Sequence, residues 1–231
     1  MQSVLVYGRQ FARCVMGYVP YDASVHAEGR RRMRLVTASC GYSKDSATNN
    51  NRAGQVFKKD IFGDDACFVS KYKNYDVLGS STACIIIIDN EKQTLHSANL
   101  GDSGFLVVRG GKVVHRSEEQ QHYFNTPFQL SIAPPGLNTI LSDSPESASS
   151  SSVPIKVGDI VLMATDGLFD NMPESLILKE LAKIKDETLG SMQSAVNAIA
   201  ERAREFAYDP NYMSPFAEHA RENGMEFLAR G

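Results

Sequence analysis

Four isoleucines in a row, residues 85–88, constrain this chain more than any other feature in it. β-Branched side chains lose rotamer freedom in a helix and pack well on a pleated surface, so the run predicts a strand over residues 83–88. Unbroken apolarity predicts that this strand is buried on both faces. It is far too short for a bilayer, which needs about 20 apolar residues. The theme then repeats: residues 95–100 and 104–108 flank a turn at Gly101-Asp102-Ser103, and Gly110-Gly111 precedes residues 112–115. A Gly-Gly link between β-rich runs signals a hairpin, because the favoured two-residue turns need positive φ. Residues 83–116 are therefore expected to form an antiparallel meander.

Residues 66–69 and 76–78 also read as strands, and residues 41–60 as a polar loop. The serine-rich stretch 142–152 (SDSPESASSSS) is expected to be a surface loop. A further strand is expected over residues 160–165, opening after Gly158-Asp159. Helices should follow at 174–185 and 191–206, where Met192, Val196, Ile199 and Ala203 recur at helical spacing. Strands first and helices after define an α+β class, with helices covering a largely antiparallel sheet.

Composition narrows the function. The 231 residues carry 24 basic and 27 acidic side chains, a net charge of −3, with 42% hydrophobic residues. That is the balance of a water-soluble globular domain without the basic field of a nucleic-acid binder. No apolar run suits a transmembrane segment. Cys14, Cys40, Cys67 and Cys84 stand far apart without a C-x-x-C, which argues against a thiolate zinc site or a disulfide scaffold and for a reducing compartment.

Residues 1–35 hold six arginines and two acids, Asp22 and Glu28. On a helix, Val4, Tyr7, Phe11, Cys14 and Val15 would gather opposite Arg9 and Arg13, with Leu5, Val6 and Met16 blurring the stripe. Arg-rich, acid-poor and amphipathic is the pattern of a mitochondrial transit peptide. The expected organisation is a transit segment, 1–35, followed by a domain, 36–231, in the mitochondrial matrix.

Three aspartate clusters stand beside glycine at expected strand ends: Asp64-Asp65 after Gly63, Asp102 after Gly101, and Asp166 before Gly167. Carboxylates aimed at one point repel each other unless a cation sits between them. Hard oxygen donors select Mg²⁺ or Mn²⁺ over softer metals. Paired divalent ions are a recurrent means of hydrolysing phosphate esters. Each cluster alone is more often a structural turn than a metal site, and Asp170-Asn171 could simply cap the next helix, near Pro173. His122 has no Ser or Cys motif beside it, so a catalytic triad is not supported.

The segments GDDACF (63–68), GSSTAC (79–84), ANLGDSGFLVVRGGKVVHRSEEQQHYFNTPFQLS (98–131), GDIVLMATDGLFDNMP (158–173) and AYDPNYMSPFAEHA (207–220) resemble the type-2C (PPM-type) metal-dependent protein serine/threonine phosphatases, and within them the mitochondrial branch. The resemblance covers most of residues 35–225. It implies a β-sandwich flanked by helices, with two Mn²⁺ or Mg²⁺ ions at one end, acting on phosphoserine or phosphothreonine of a phosphoprotein. By position it implies Asp65, with Asp64, as the first acidic pair, Asp166 as a direct metal ligand, and Asp102 in support. Gly104 stands where the wider family usually has arginine, and Lys58 or Lys59 would have to replace its phosphate-binding arginine. A monomer is expected.

Two departures from the family pattern stand out. A D-G-x-G-G segment, followed in this branch by Trp, is expected after residues 75–78, yet Asp76-Val77-Leu78-Gly79 runs directly into Ser80, and the chain has no Trp. The sequence also closes on GMEFLARG without the family's acidic pair. The expectation is an incomplete type-2C sandwich, a spliced or truncated form. Its catalysis would be weak or absent, leaving a binding isoform or an unstable product as the alternatives.

Overall fold

The isoleucine run does form a strand, and its surroundings define the architecture. The computed structural model describes residues 3–7, 14–18, 36–40, 79–132, 140–186 and 188–225. In chain order the elements are β1 (Ser3–Tyr7), β2 (Cys14–Tyr18), β3 (Val36–Cys40), β4 (Gly79–Ser81), β5 (Ala83–Asp89), β6 (Thr94–Leu100), β7 (Gly104–Arg109), β8 (Lys112–Arg116), β9 (Gln121–Tyr123), β10 (Thr126–Pro127), β11 (Leu130–Ile132), β12 (Ser149–Pro154) and β13 (Ile160–Ala164). The helices are α1 (Asp166–Phe169), α2 (Glu174–Leu181), α3 (Leu189–Tyr208) and α4 (Pro215–Glu222). The expected strands at 66–69 and 76–78 and the loop at 41–60 lie outside the described residues.

Two antiparallel sheets carry the core, one in the order β1-β5-β6-β12 and the other β3-β2-β13-β7-β8. Cys84, Ile86, Ile88 and Leu95 of the first sheet meet Phe105, Val107, Val161 and Met163 of the second, with Ile155, in one buried apolar cluster. The opposite face of the second sheet presents Leu106, Val108, Leu162 and Ala164 to Leu168, Ile177, Val196 and Ile199 of the helices. The molecule is thus layered sheet, sheet, helix, which agrees with the α+β expectation. Burial on both faces belongs to β7 and β13. In β5 it holds for alternate residues, with Ile86 and Ile88 buried and Ile85 and Ile87 half-buried. The period of two decides this, because the first sheet faces the core on one side.

The expected meander over 83–116 is broken in the middle: β5–β6 and β7–β8 are hairpins of two different sheets, and β6 does not pair with β7. Gly110 (φ +55°) and Gly111 (φ +75°) supply the tight turn of the second. Between the hairpins, residues 101–103 cross from one sheet to the other. A bidentate pair, Arg109 Nε and Nη2 to Asp159 at 2.8 and 2.7 Å, fastens the approach to β13 onto β7.

Three further expectations are corrected. The amphipathic helix at the N-terminus is replaced by strands: β1 pairs with β5 from Ser3↔Ile88 to Tyr7↔Cys84, and β2 pairs with β13 and β3. Leu5, Val6 and Met16, which blurred the helical stripe, belong to short continuous apolar runs. The open edges of β5 and β13 offer such runs the hydrogen bonds they need. The serine stretch is not a loop throughout: β12 pairs with β6 along its whole length. Ser97 Oγ lies 2.7 Å from Ser151 Oγ and His96 Nδ1 2.8 Å from Ser152 Oγ, so hydroxyls replace apolar contacts at this edge. Finally, Asn171 does not cap α2, whose N-cap is Pro173; its Nδ2 donates to the Gly167 carbonyl at 3.1 Å and closes α1.

Candidate active site

Two of the singled-out aspartates leave the second sheet at the same end. The β13–β7 register closes on Ala164↔Gly104, so Asp166 and Asp102 each stand two residues beyond the last pair of adjacent antiparallel strands. Asp64 and Asp65 lie outside the described residues.

Asp166 opens α1 straight after the buried Thr165. Its Oδ1 accepts from the Gly167 amide at 2.7 Å, and its carbonyl accepts from the Asp170 amide at 2.7 Å. Leu168 and Met172, both buried, plug the following turn into the helix-side core. A half-buried carboxylate is thereby fixed within one turn of a rigid anchor.

Asp102 sits on the corner between the sheets. Gly101 has φ +100°, and a Cβ there would lie 2.5 Å from both the Phe128 carbonyl oxygen and Thr82 Cγ2. The left-handed conformation and the crowding together demand glycine. The Gly101 carbonyl accepts from the Gln120 amide (3.0 Å) and Asn99 Nδ2 (3.4 Å). On the far side, Ser103 Oγ lies 2.9 Å from Thr82 Oγ1, and the Phe105 amide donates to Ser117 Oγ at 2.9 Å. A Cβ on Gly104 would collide with Ser117 Oγ. A side chain at Gly104, where the resemblance implies arginine, would have to displace a serine hydroxyl already bonded to the strand.

Two further elements wall this end. The hairpin β9–β10 grows from Gln120, and α4 is tied down by the Phe216 amide donating to the Asp170 carbonyl at 3.0 Å. Phe124 of the hairpin and Phe216 of α4 meet with ring centroids 5.4 Å apart, while Tyr123 stands exposed at the tip. His122 stacks on Phe128 (4.2 Å) and approaches Asp143 to 3.0 Å. The Asp143 carboxyl is held below its usual range: burial would raise it, but the Gln129 amide and His122 outweigh that. His122 thus braces the loop that carries Asp143.

Among the described residues no group of three or more His, Cys, Asp or Glu converges as a metal cage. The two carboxylates placed here are hard oxygen donors on rigid supports and suit part of a divalent-ion site. Sequence reasoning did not find Thr82, Asn99, Ser117 and Gln120 as the frame of the Asp102 turn. The signal was present in GSSTAC, where a threonine precedes a buried strand, but pairing it with Ser103 requires the tertiary fold.

The profile of the SpoIIE (Stage II sporulation protein E) family matches residues 68–211, more than half of the chain. With its sandwich, its helix layer and its paired aspartates, the chain belongs to the PPM-type (type-2C) protein serine/threonine phosphatase family. The relatives include the protein phosphatase PTC7 homolog of Homo sapiens, 45% identical over 97% of this chain and 93% of its own length, and that of Danio rerio, 44% identical with the same coverage. The human alignment runs over 287 positions against a chain of 231, so at least 56 positions of that relative have no counterpart here. A solved structure, the X-ray structure of the photosystem II phosphatase PBCP, shares the fold with a TM-score of 0.58 at 19% identity, over 97% of this chain and 87% of that one.

Proposed function

We propose that the Asp102/Asp166 end of the sandwich is where this protein phosphatase hydrolyses phosphoserine and phosphothreonine in its protein substrates, with Mn²⁺ or Mg²⁺ as the cofactor. The observation that carries the reading is the placement of both aspartates two residues beyond one register pair, each on an anchored turn. Asp166 would hold an ion directly, Asp65 and Asp64 would complete the acidic set, and Asp102 would support it. Divalent ions of this kind lower the pKa of water and neutralise phosphate charge. The chain's own contribution is rigidity: Gly167 and Leu168 hold Asp166, the buried corner holds Asp102, and the β9–β10 hairpin with α4 flanks the approach.

We further read turnover as weaker than in full-length relatives. The 56 or more positions of the human relative without a counterpart support this reading. So does the direct run from Gly79 into Ser80, where the family's D-G-x-G-G segment is expected. The test is Mn²⁺-dependent phosphate release from a phosphothreonine peptide by the whole chain and by its Asp166→Ala variant. Release lost in the variant supports the assignment of Asp166, and release that persists overturns it. A cooperatively melting protein that releases nothing, yet captures the peptide with or without Asp166, would be a binding isoform.

The arginine-rich N-terminus supports delivery to the mitochondrial matrix. Cleavage near residue 35 would remove β1 and β2 from both sheets, so the mature N-terminus recovered from fractionated mitochondria is the deciding measurement. A monomer is the proposed state, checked by light scattering.

A further inference from the structure

We propose that Thr82 is a positioning residue for Asp102, acting through its buried hydroxyl pair with Ser103; the inference rests on the phosphatase reading of the Asp102/Asp166 end. Thr82 lies between β4 and β5, and both it and Ser103 are buried, with their hydroxyl oxygens 2.9 Å apart across 21 residues of sequence. The same side chain presents its methyl group to Gly101, where a Cβ would lie 2.5 Å from Thr82 Cγ2 and 2.8 Å from Thr82 Cβ. Thr82 therefore touches the residue before Asp102 with carbon and the residue after it with oxygen.

The rest of the frame closes the remaining freedom. Gln120 and Asn99 hold the Gly101 carbonyl, and Ser117 holds the Phe105 amide. With Gly101 and Ser103 each held by these contacts, Asp102 is restrained from both sides at the sheet end where Asp166 stands. A hydroxyl pair whose sole role was to satisfy two buried polar groups would matter to stability alone. A positioning pair matters to the order of the turn and to what the turn binds.

Thr82→Val keeps the shape and removes the hydroxyl, Thr82→Ser keeps the hydroxyl and removes the methyl, and Ser103→Ala removes the pair from the other side. In the metal-free whole chain, hydrogen exchange of the peptide spanning the β6–β7 corner should quicken about tenfold in Thr82→Val and in Ser103→Ala, the size expected for one buried hydrogen bond. Thr82→Ser should stay near wild type, and peptides from β13 and α3 should not change. The Mn²⁺ concentration giving half-maximal thermal shift should rise about tenfold in the same two variants and recover in Thr82→Ser. Unchanged exchange at the corner, or a uniform rise across the whole protein, overturns the proposal. So does altered exchange with an unmoved Mn²⁺ midpoint, which would leave Thr82 purely structural. If wild type itself shows no Mn²⁺ response, the metal reading of this end fails. The exchange data then still decide whether Thr82 orders the turn.

Discussion

Single side chains in this protein can be ranked by what they leave behind when removed. In the Arg109–Asp159 pair the carboxylate is fully buried and the guanidinium is 32% exposed. Arg109→Ala strands a buried charge and should cost about 3–5 kcal/mol, whereas Asp159→Ala frees an arginine that water can reach and should cost less. Urea titration of both variants checks the order. Gly101→Ala faces both strain at φ +100° and overlap with Thr82 and Phe128, and should lose about 2 kcal/mol or more. Cys84 is sealed in the sandwich, and burial pushes its thiol up to about 12 from 9.0. Native protein at pH 8 should leave Cys84 unalkylated, as peptide mapping would show. The unfolded chain releases this proton first, so above about pH 9 the group erodes stability until the folded thiol itself ionises.

At the scale of elements, legibility followed how far each segment's fate was local. The hairpins β5–β6 and β7–β8 and the helices α2 and α3 could be read from β-branched runs, a Gly-Gly turn and helical spacing. β1, β2 and β12 could not, because they are strands by virtue of their partners. Ser149–Pro154 lacks strand propensity and is held to β6 and β8 by serine hydroxyls that meet Ser97 and the ring nitrogens of His96 and His115. Of the site, Asp166 and Asp102 could be picked out by their glycine-flanked turns. Their sharing of one sheet end required the β13–β7 register. His115 of β8 lies beside Phe105 and 3.4 Å from Ser151 Oγ, and its partial burial lowers its pKa. The unfolded chain protonates this ring first, so stability should begin to fall as pH drops through about 6.5. His115→Asn should flatten that limb of a pH-dependent melting series.

For the whole molecule, the layering makes the second sheet the shared wall of two cores, and β2 and β13 are its centre. Deleting residues 1–20 removes one strand from each sheet and exposes edges that the fold otherwise pairs. The truncated chain should lose its cooperative thermal transition or melt at least about 10 °C lower, checked by circular dichroism. The same pairing carries a consequence in time. Tyr18 stands opposite Ile160, 142 positions later, and Cys14 opposite Ala164, 150 positions later. At a synthesis rate of about 5–20 residues per second, β2 is made roughly 7 to 30 s before β13, its more distant partner, exists. Throughout that interval β2 has only β3 to pair with, and the second sheet cannot close.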